Sequence, residues 1–224
     1  MTTPPHDRFP VVLFDLDGTI TDSAPGIHNG FRHALAAVGA PEPSETLLGA
    51  VVGPPMVDTF RSLGFTPDQV ETAIAAYFDY YDATGWSENT VFDGMPEVLA
   101  KTQANGTRLA VATSKSERFA VRILDHFGLS ENFEFIGAAS NDGSRRAKAD
   151  VIAHSLSALG ITPSADTAGV LMVGDRDHDV LGAAQFGIPA VFVDWGYGSD
   201  AEARGSYRRV ETAAELEGLL DGNQ

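Results

Sequence analysis

The stretch from Phe9 to Ser23, FPVVLFDLDGTITDS, limits what this chain can fold into more than any other. Val11, Val12, Leu13 and Phe14 form a continuous apolar run with two β-branched residues, which reads as a short strand buried on both faces. Asp15 then stands at the carboxyl end of that strand, where open parallel sheets bind ligands. Asp17 follows two residues later, and in extended backbone that spacing turns both carboxylates to one side. Like charges held so close repel unless a cation or a proton lies between them, and a divalent metal is the simplest resolution. Gly18 permits a sharp reversal after the pair, and the Thr19 hydroxyl can tie the turn. An isolated Asp-Gly is more often a hairpin turn. Here only the upstream flank is strand-like, while Thr21 to Gly26 is polar and small, so the rest of the chain decides.

After this strand the pattern turns helical. Ile27, Phe31, Ala34, Leu35 and Val38 make one apolar stripe ending at Gly39, and Met56, Phe60 and Leu63 a shorter one closed by Gly64. Thr66-Pro67-Asp68-Gln69 combines a capping box with Pro at the first helical position, followed by the face Val70, Ala73, Ile74, Tyr77, Phe78 and Tyr81. Residues 21–89 are therefore expected to form an inserted all-α cap domain, with residues 1–20 and 90–224 forming an α/β core.

From Gly94 onward strand and helix alternate. Helices are expected over Met95 to Gln103, Ser116 to Phe127, Ala147 to Leu159 and Val180 to Phe186, and strands over Leu109 to Thr113, Phe133 to Ile136, Val170 to Val173 and Ala190 to Val193. Thr212-x-x-Glu215 caps a last helix carrying Leu216, Leu219 and Leu220. Such alternation gives a doubly wound parallel sheet.

Composition narrows the function. A formal net charge of −16 argues against a sequence-independent nucleic-acid surface, and an acidic protein that handles an anion must concentrate its few cations at the site. With no cysteine there is neither a disulfide, a thiolate metal site nor a Cys nucleophile. The start, MTTPPHDRFP, lacks the regions of a signal peptide, and no apolar run approaches the roughly 18 residues of a membrane span, so a cytoplasmic location is expected.

Three more strand ends carry polar residues. Thr113-Ser114-Lys115 offers a hydroxyl, backbone N–H groups and a cation, a set that grips a phosphoryl oxygen. Gly174-Asp175 is followed by Asp177 and Asp179 in GDRDHD, and Lys148 lies near the start of the helix after the third strand. Taken singly, each has a bland reading. Thr113 and Ser114 could cap a helix, the acids of GDRDHD could complement a helix dipole, and Lys148 could be solvated. The six His show no metal spacing, and His178 is expected to be exposed rather than ligating. Independent surface residues have no reason to fall, in order, at the carboxyl ends of successive strands.

DLDGT at Asp15 to Thr19, the apolar run into Thr113, the lone Lys148 and GDRDHD together resemble the four ordered motifs of the haloacid dehalogenase superfamily, over essentially the whole chain. The turn at Gly53 to Pro55, TSK at Thr113, VGDRDHD and WGYG at Trp195 are similar to the phosphoglycolate phosphatase-like subgroup, which includes 5′-nucleotidase-like members and an α-helical C1-type cap. The resemblance implies a Rossmann-like core and a Mg²⁺-dependent phosphatase. Asp15 is then the nucleophile, Asp17 the general acid and base, and Thr113 and Lys148 the groups that stabilise the transferring phosphoryl. Gly18, Ser114, Lys115, Pro54 and Pro55 would contact substrate, the last two from the cap acting as a lid. Asp15, Asp17 and Asp175 would hold the metal, supported from outside its ligand set by Asp179, or by Asp177 in its place. The expected partners are a small phosphorylated substrate, with no nucleic acid and no membrane, the chain being a monomer or a weak homodimer. Some actinobacterial relatives in this subgroup are described as protein-tyrosine kinases, which leaves a phosphotransferase or signalling role as the alternative.

Overall fold

The computed structural model describes residues 9–140, 143–163 and 166–222. Most of the amino-terminal segment read above for a signal peptide lies outside them. The chain divides into two compact units: the first ends its opening piece at Thr21 and resumes at Val91, and Asp22–Thr90 form the second.

The first unit is built on a six-stranded sheet. Its strands are β1 (Val11–Phe14), β4 (Arg108–Ser116), β5 (Phe135–Ala139), β6 (Val170–Gly174), β7 (Ala190–Val193) and β8 (Arg208–Val210). They lie in the order β5-β4-β1-β6-β7-β8 with every pairing parallel. Strands are therefore added outward on both sides of β1, and the carboxyl end of β1 opens at the switch in winding direction, where a ligand crevice forms. β1 is central because it is apolar throughout; Val12, Leu13 and Phe14 are fully buried, each burial worth roughly 1.5–3 kcal/mol. Val11 and Leu13 join Ala110, Val151, Ile152, Met172 and Phe192 in one core cluster. Helices α7 (Lys148–Ala158) and α8 (Asp177–Ala184) pack on the sheet there, and α5 (Met95–Ala104), α6 (Glu117–His126) and α9 (Ala213–Leu220) complete the unit.

In the second unit α1 (Ala24–Ala37), α2 (Glu45–Val51), α3 (Met56–Ser62) and α4 (Pro67–Ala83) pack together. Phe31 stacks on Phe60 with centroids 5.4 Å apart. The Thr66 capping box forms reciprocally, Gln69 N donating to Thr66 Oγ1 at 3.3 Å and Thr66 N to Gln69 Oε1 at 3.0 Å. Two short strands, β2 (Thr21–Asp22) and β3 (Thr90–Val91), pair where the chain leaves the first unit and returns to it.

Several boundaries differ from the sequence expectation. β4 continues through Thr113-Ser114-Lys115 to Ser116, its pairing with β5 shifting between Thr113 and Ser116, so this polar stretch is extended strand rather than a cap for α6. The strand expected at Phe133 begins at Phe135, because Ser130–Asn132 form a 3₁₀ turn. α8 starts at Asp177 instead of Val180, and α2, whose sequence ETLLGAV has no helical stripe, was not anticipated.

Candidate active site

The loop after β1 is shaped by its own backbone. The Leu16 carbonyl accepts from the amides of Thr19, Ile20 and Thr21 at 3.3, 2.9 and 3.0 Å, and Gly18 N donates to Thr21 O at 2.8 Å. This knot holds Asp15 and Asp17 on either side of Leu16. Gly18 sits at φ +82, and a Cβ there would lie 2.3 Å from Asp175 Oδ2, so the turn needs a residue with neither φ restriction nor side chain.

Asp15 is 4% exposed, and its amide donates to Val173 O on β6 at 2.9 Å, which ties the loop to the next strand. Lys148, the first residue of α7, sends its ammonium between two carboxylates: 2.8 Å to Asp15 Oδ1 and 2.7 Å to Asp179 Oδ1. It also donates to Ala112 O on β4 at 3.0 Å. Burial opposes the charge on Lys148, but Asp15 and Asp179 outweigh it and hold its pKa above the ordinary lysine value.

Asp175 follows β6 and is fully buried. Its Oδ2 accepts from Tyr197 N at 2.7 Å while Oδ1 has no hydrogen-bond partner. Burial, then the nearby charges of Asp179 and Asp15, push its carboxyl well above the usual carboxylate range. Asp179 is also fully buried, its Oδ2 accepting from Arg176 N at 3.1 Å, whereas Asp177 is about half exposed and serves the first turn of α8. Lys148 thus pairs with two of three buried carboxylates, Asp15 and Asp179, while Asp175 Oδ1 has no hydrogen-bond partner, and oxygen donors of this kind fit a hard divalent cation.

Asp17 has a different cation. Lys115 Nζ donates to its Oδ1 and Oδ2, both at 2.9 Å, so the lysine expected on the phosphoryl side has its ammonium on a carboxylate. Thr113 is buried and its Oγ1 accepts from Lys115 N at 3.2 Å; Ser114 is half-buried beside it. Pro54 and Pro55 belong to the helical unit, where Pro55 is the residue preceding α3.

Two features escaped the sequence reading. Asp15, His178 and Asp179 each offer a ligand atom, all within 4.8 Å of one another, and His178 is half-buried rather than exposed. Its place in the same first turn of α8 as Asp179 was the available signal. The WGYG segment is structural to the site: Trp195 Nε1 donates to Thr19 O at 3.1 Å, and Tyr197 supplies the amide on Asp175. A Cβ on Gly196 would lie 2.3 Å from Asp175 Cβ and 2.4 Å from Gly18 O.

Comparison with known proteins agrees with this geometry. Residues 12–193 match the model of the haloacid dehalogenase-like hydrolase family. The chain is 52% identical over 218 residues to the tyrosine-protein kinase PtkA of Mycobacterium tuberculosis, covering 97% of this chain and 73% of that one. It is 38% identical over 213 residues to a 5′-nucleotidase of Pseudomonas aeruginosa, covering 95% and 94%. A crystal structure described as a predicted phosphatase from Clostridium acetobutylicum superposes with a TM-score of 0.88 at 36% identity, covering 95% of this chain and 98% of that one. The chain belongs to the haloacid dehalogenase-like hydrolase family and is an enzyme of its phosphatase type.

Proposed function

We propose that the chain hydrolyses small phosphomonoesters, of the phosphoglycolate or nucleoside monophosphate kind, through a phosphoryl group carried on Asp15. The observation that carries this reading is the setting of Asp15: a carboxylate at the mouth of the central strand, paired with Lys148 and facing Asp175 and Asp179. A Mg²⁺ held by Asp15, the backbone carbonyl of Asp17 and Asp175, with Asp179 supporting from outside the ligand set, would neutralise charge on the phosphoryl oxygens.

An Asp15 oxygen attacks phosphorus in line, the P–O ester bond breaks, and the leaving oxygen takes a proton from Asp17. Water then gives a proton to Asp17 and attacks the phosphorus of the acyl phosphate, releasing inorganic phosphate and the Asp15 carboxylate. Lys148 stabilises negative charge on Asp15 and on the transferring group, while Thr113 Oγ1 and the amide of Ser114 hold phosphoryl oxygens. Small substrates are favoured because a net charge of −16 repels large polyanions.

The test is a phosphate-release panel of phosphoglycolate, nucleoside monophosphates, sugar phosphates and a phosphotyrosine peptide at equal concentration. We expect a small metabolite to give the highest kcat/KM; dominance of the peptide would overturn the substrate class. The similarity to a protein named a tyrosine kinase supports a second reading, in which a protein tyrosine is the final acceptor. Phosphate that survives alkali on the protein would favour it, whereas label lost to hydroxylamine marks the acyl phosphate on Asp15.

A further inference from the structure

We infer that Lys115 is an exchange residue: its ammonium clamps Asp17 in the free enzyme and leaves it for the phosphoryl group when substrate enters. The inference rests on the phosphomonoesterase reading above and adds what sets Asp17 free to act.

The geometry creates the need. Asp17 must present an oxygen first to the leaving group and then to water, yet both its oxygens accept from Lys115 Nζ at 2.9 Å. The pair is largely out of solvent, the side chains being 7% and 15% exposed, so water does not open it as it opens a surface pair. Some other anion has to draw the ammonium away. Lys148 can stabilise the transferring group only from where it stands and does not exchange partners, since its ammonium is held among Asp15, Asp179 and Ala112 O.

Lys115 is well placed to move. Its backbone is anchored, the amide donating to Thr113 Oγ1 at 3.2 Å, which fixes the root of the side chain beside a residue proposed to hold phosphoryl oxygens. Beyond that root the stem is four flexible carbons ending in three rotatable donors, so the ammonium can change partners without backbone movement. A phosphoryl dianion carries more charge than one carboxylate and so competes for it effectively. Asp17 and the phosphoryl group are thus rivals for one cation. The acid is released only when there is a group for it to act on, and the free enzyme keeps it occupied.

Rivalry of this kind appears as coupling in a double-mutant cycle, read by binding rather than turnover. Inorganic phosphate is titrated calorimetrically into the Mg²⁺-supplemented full chain and its Asp17→Asn, Lys115→Met and doubly substituted variants. Asp17→Asn should tighten phosphate binding roughly tenfold by removing the rival, Lys115→Met should weaken it to a similar degree, and Asp17→Asn should have no effect in the Lys115→Met background. Lys115→Gln, which keeps a polar tip near Asp17 without a charge, should weaken phosphate binding as Lys115→Met does, and it replaces that variant in the cycle should the apolar one not fold. Both single substitutions at Lys115 should raise KM far more than they lower kcat. If Asp17→Asn tightens binding equally in both backgrounds, the effect is general charge and the exchange is wrong. A fall in kcat with KM unchanged would make Lys115 an orienting group for Asp17 and equally overturn it. Absence of phosphate binding in every variant, wild type included, would remove the phosphomonoesterase reading and the exchange with it.

Discussion

Lys148 and Asp15 form an ion pair of 2.8 Å whose side chains are only 2% and 6% exposed, and the same ammonium reaches Asp179 at 2.7 Å. Lys148→Met keeps most of the stem but leaves two buried carboxylates without their cation, which costs about 3–5 kcal/mol when one partner of a buried pair is removed. The variant should melt at a clearly lower temperature and lose turnover. Mg²⁺ should raise its melting temperature more than that of the wild type, because the cation answers a larger uncompensated charge. Equal melting temperatures for the two metal-free proteins would show that Lys148 does not hold this cluster together.

Asp15→Asn should abolish turnover while the fold is kept. An amide cannot attack phosphorus, and the substitution also removes a charge from the proposed metal site. Phosphate release and hydroxylamine-labile label should both disappear. Substantial activity in the purified variant would take Asp15 out of the nucleophile's role.

Chelation should silence the enzyme, and added Mg²⁺ should restore it. Ca²⁺ should bind the same oxygens, visible as a raised melting temperature, yet support little turnover, because its larger and looser coordination misplaces the attacking carboxylate. Full activity in excess EDTA is the result that removes the metal from the mechanism.

Gly196→Ala should weaken metal affinity by about 10–100-fold, the range for groups that orient a ligand from behind. Its new methyl would meet Asp175 Cβ at 2.3 Å and the Gly18 carbonyl at 2.4 Å, so either the WGYG segment or the carboxylate must shift. Isothermal titration with Mg²⁺, alongside circular dichroism to establish folding, measures this. Unchanged affinity in a folded variant would show that the segment yields without disturbing Asp175.

The parallel sheet was legible in the sequence because its cues are local: four apolar residues ending in Asp15, a second such run ending in Gly174-Asp175, and a glycine closing each intervening helix. Lys148 could be singled out for the same reason, as a lone cation at the start of a helix. The Lys115–Asp17 pair was not legible, since it depends on the register of β4 against β1 and on the strand persisting past Thr113, where the sequence pattern ends it, through Ser114 and Lys115. The closeness of His178 to Asp15 was not legible, since Asp15 comes from the far end of the chain and no spacing within one segment reveals it. Tyr197 contributes through its amide, which no side-chain pattern reveals.

The central position of β1 carries a consequence for synthesis. Val11 must find Arg108 on one side and Val170 on the other, so β1 is made well before either neighbour and waits longest for the second. The whole of Asp22–Thr90 is made in the interval, and as one contiguous segment it can settle early. Asp15 therefore gains Lys148 only once α7 is made and has both Lys148 and Asp179 beside it only after translation has passed α8, so a chain terminated before α7 lacks both partners of that carboxylate.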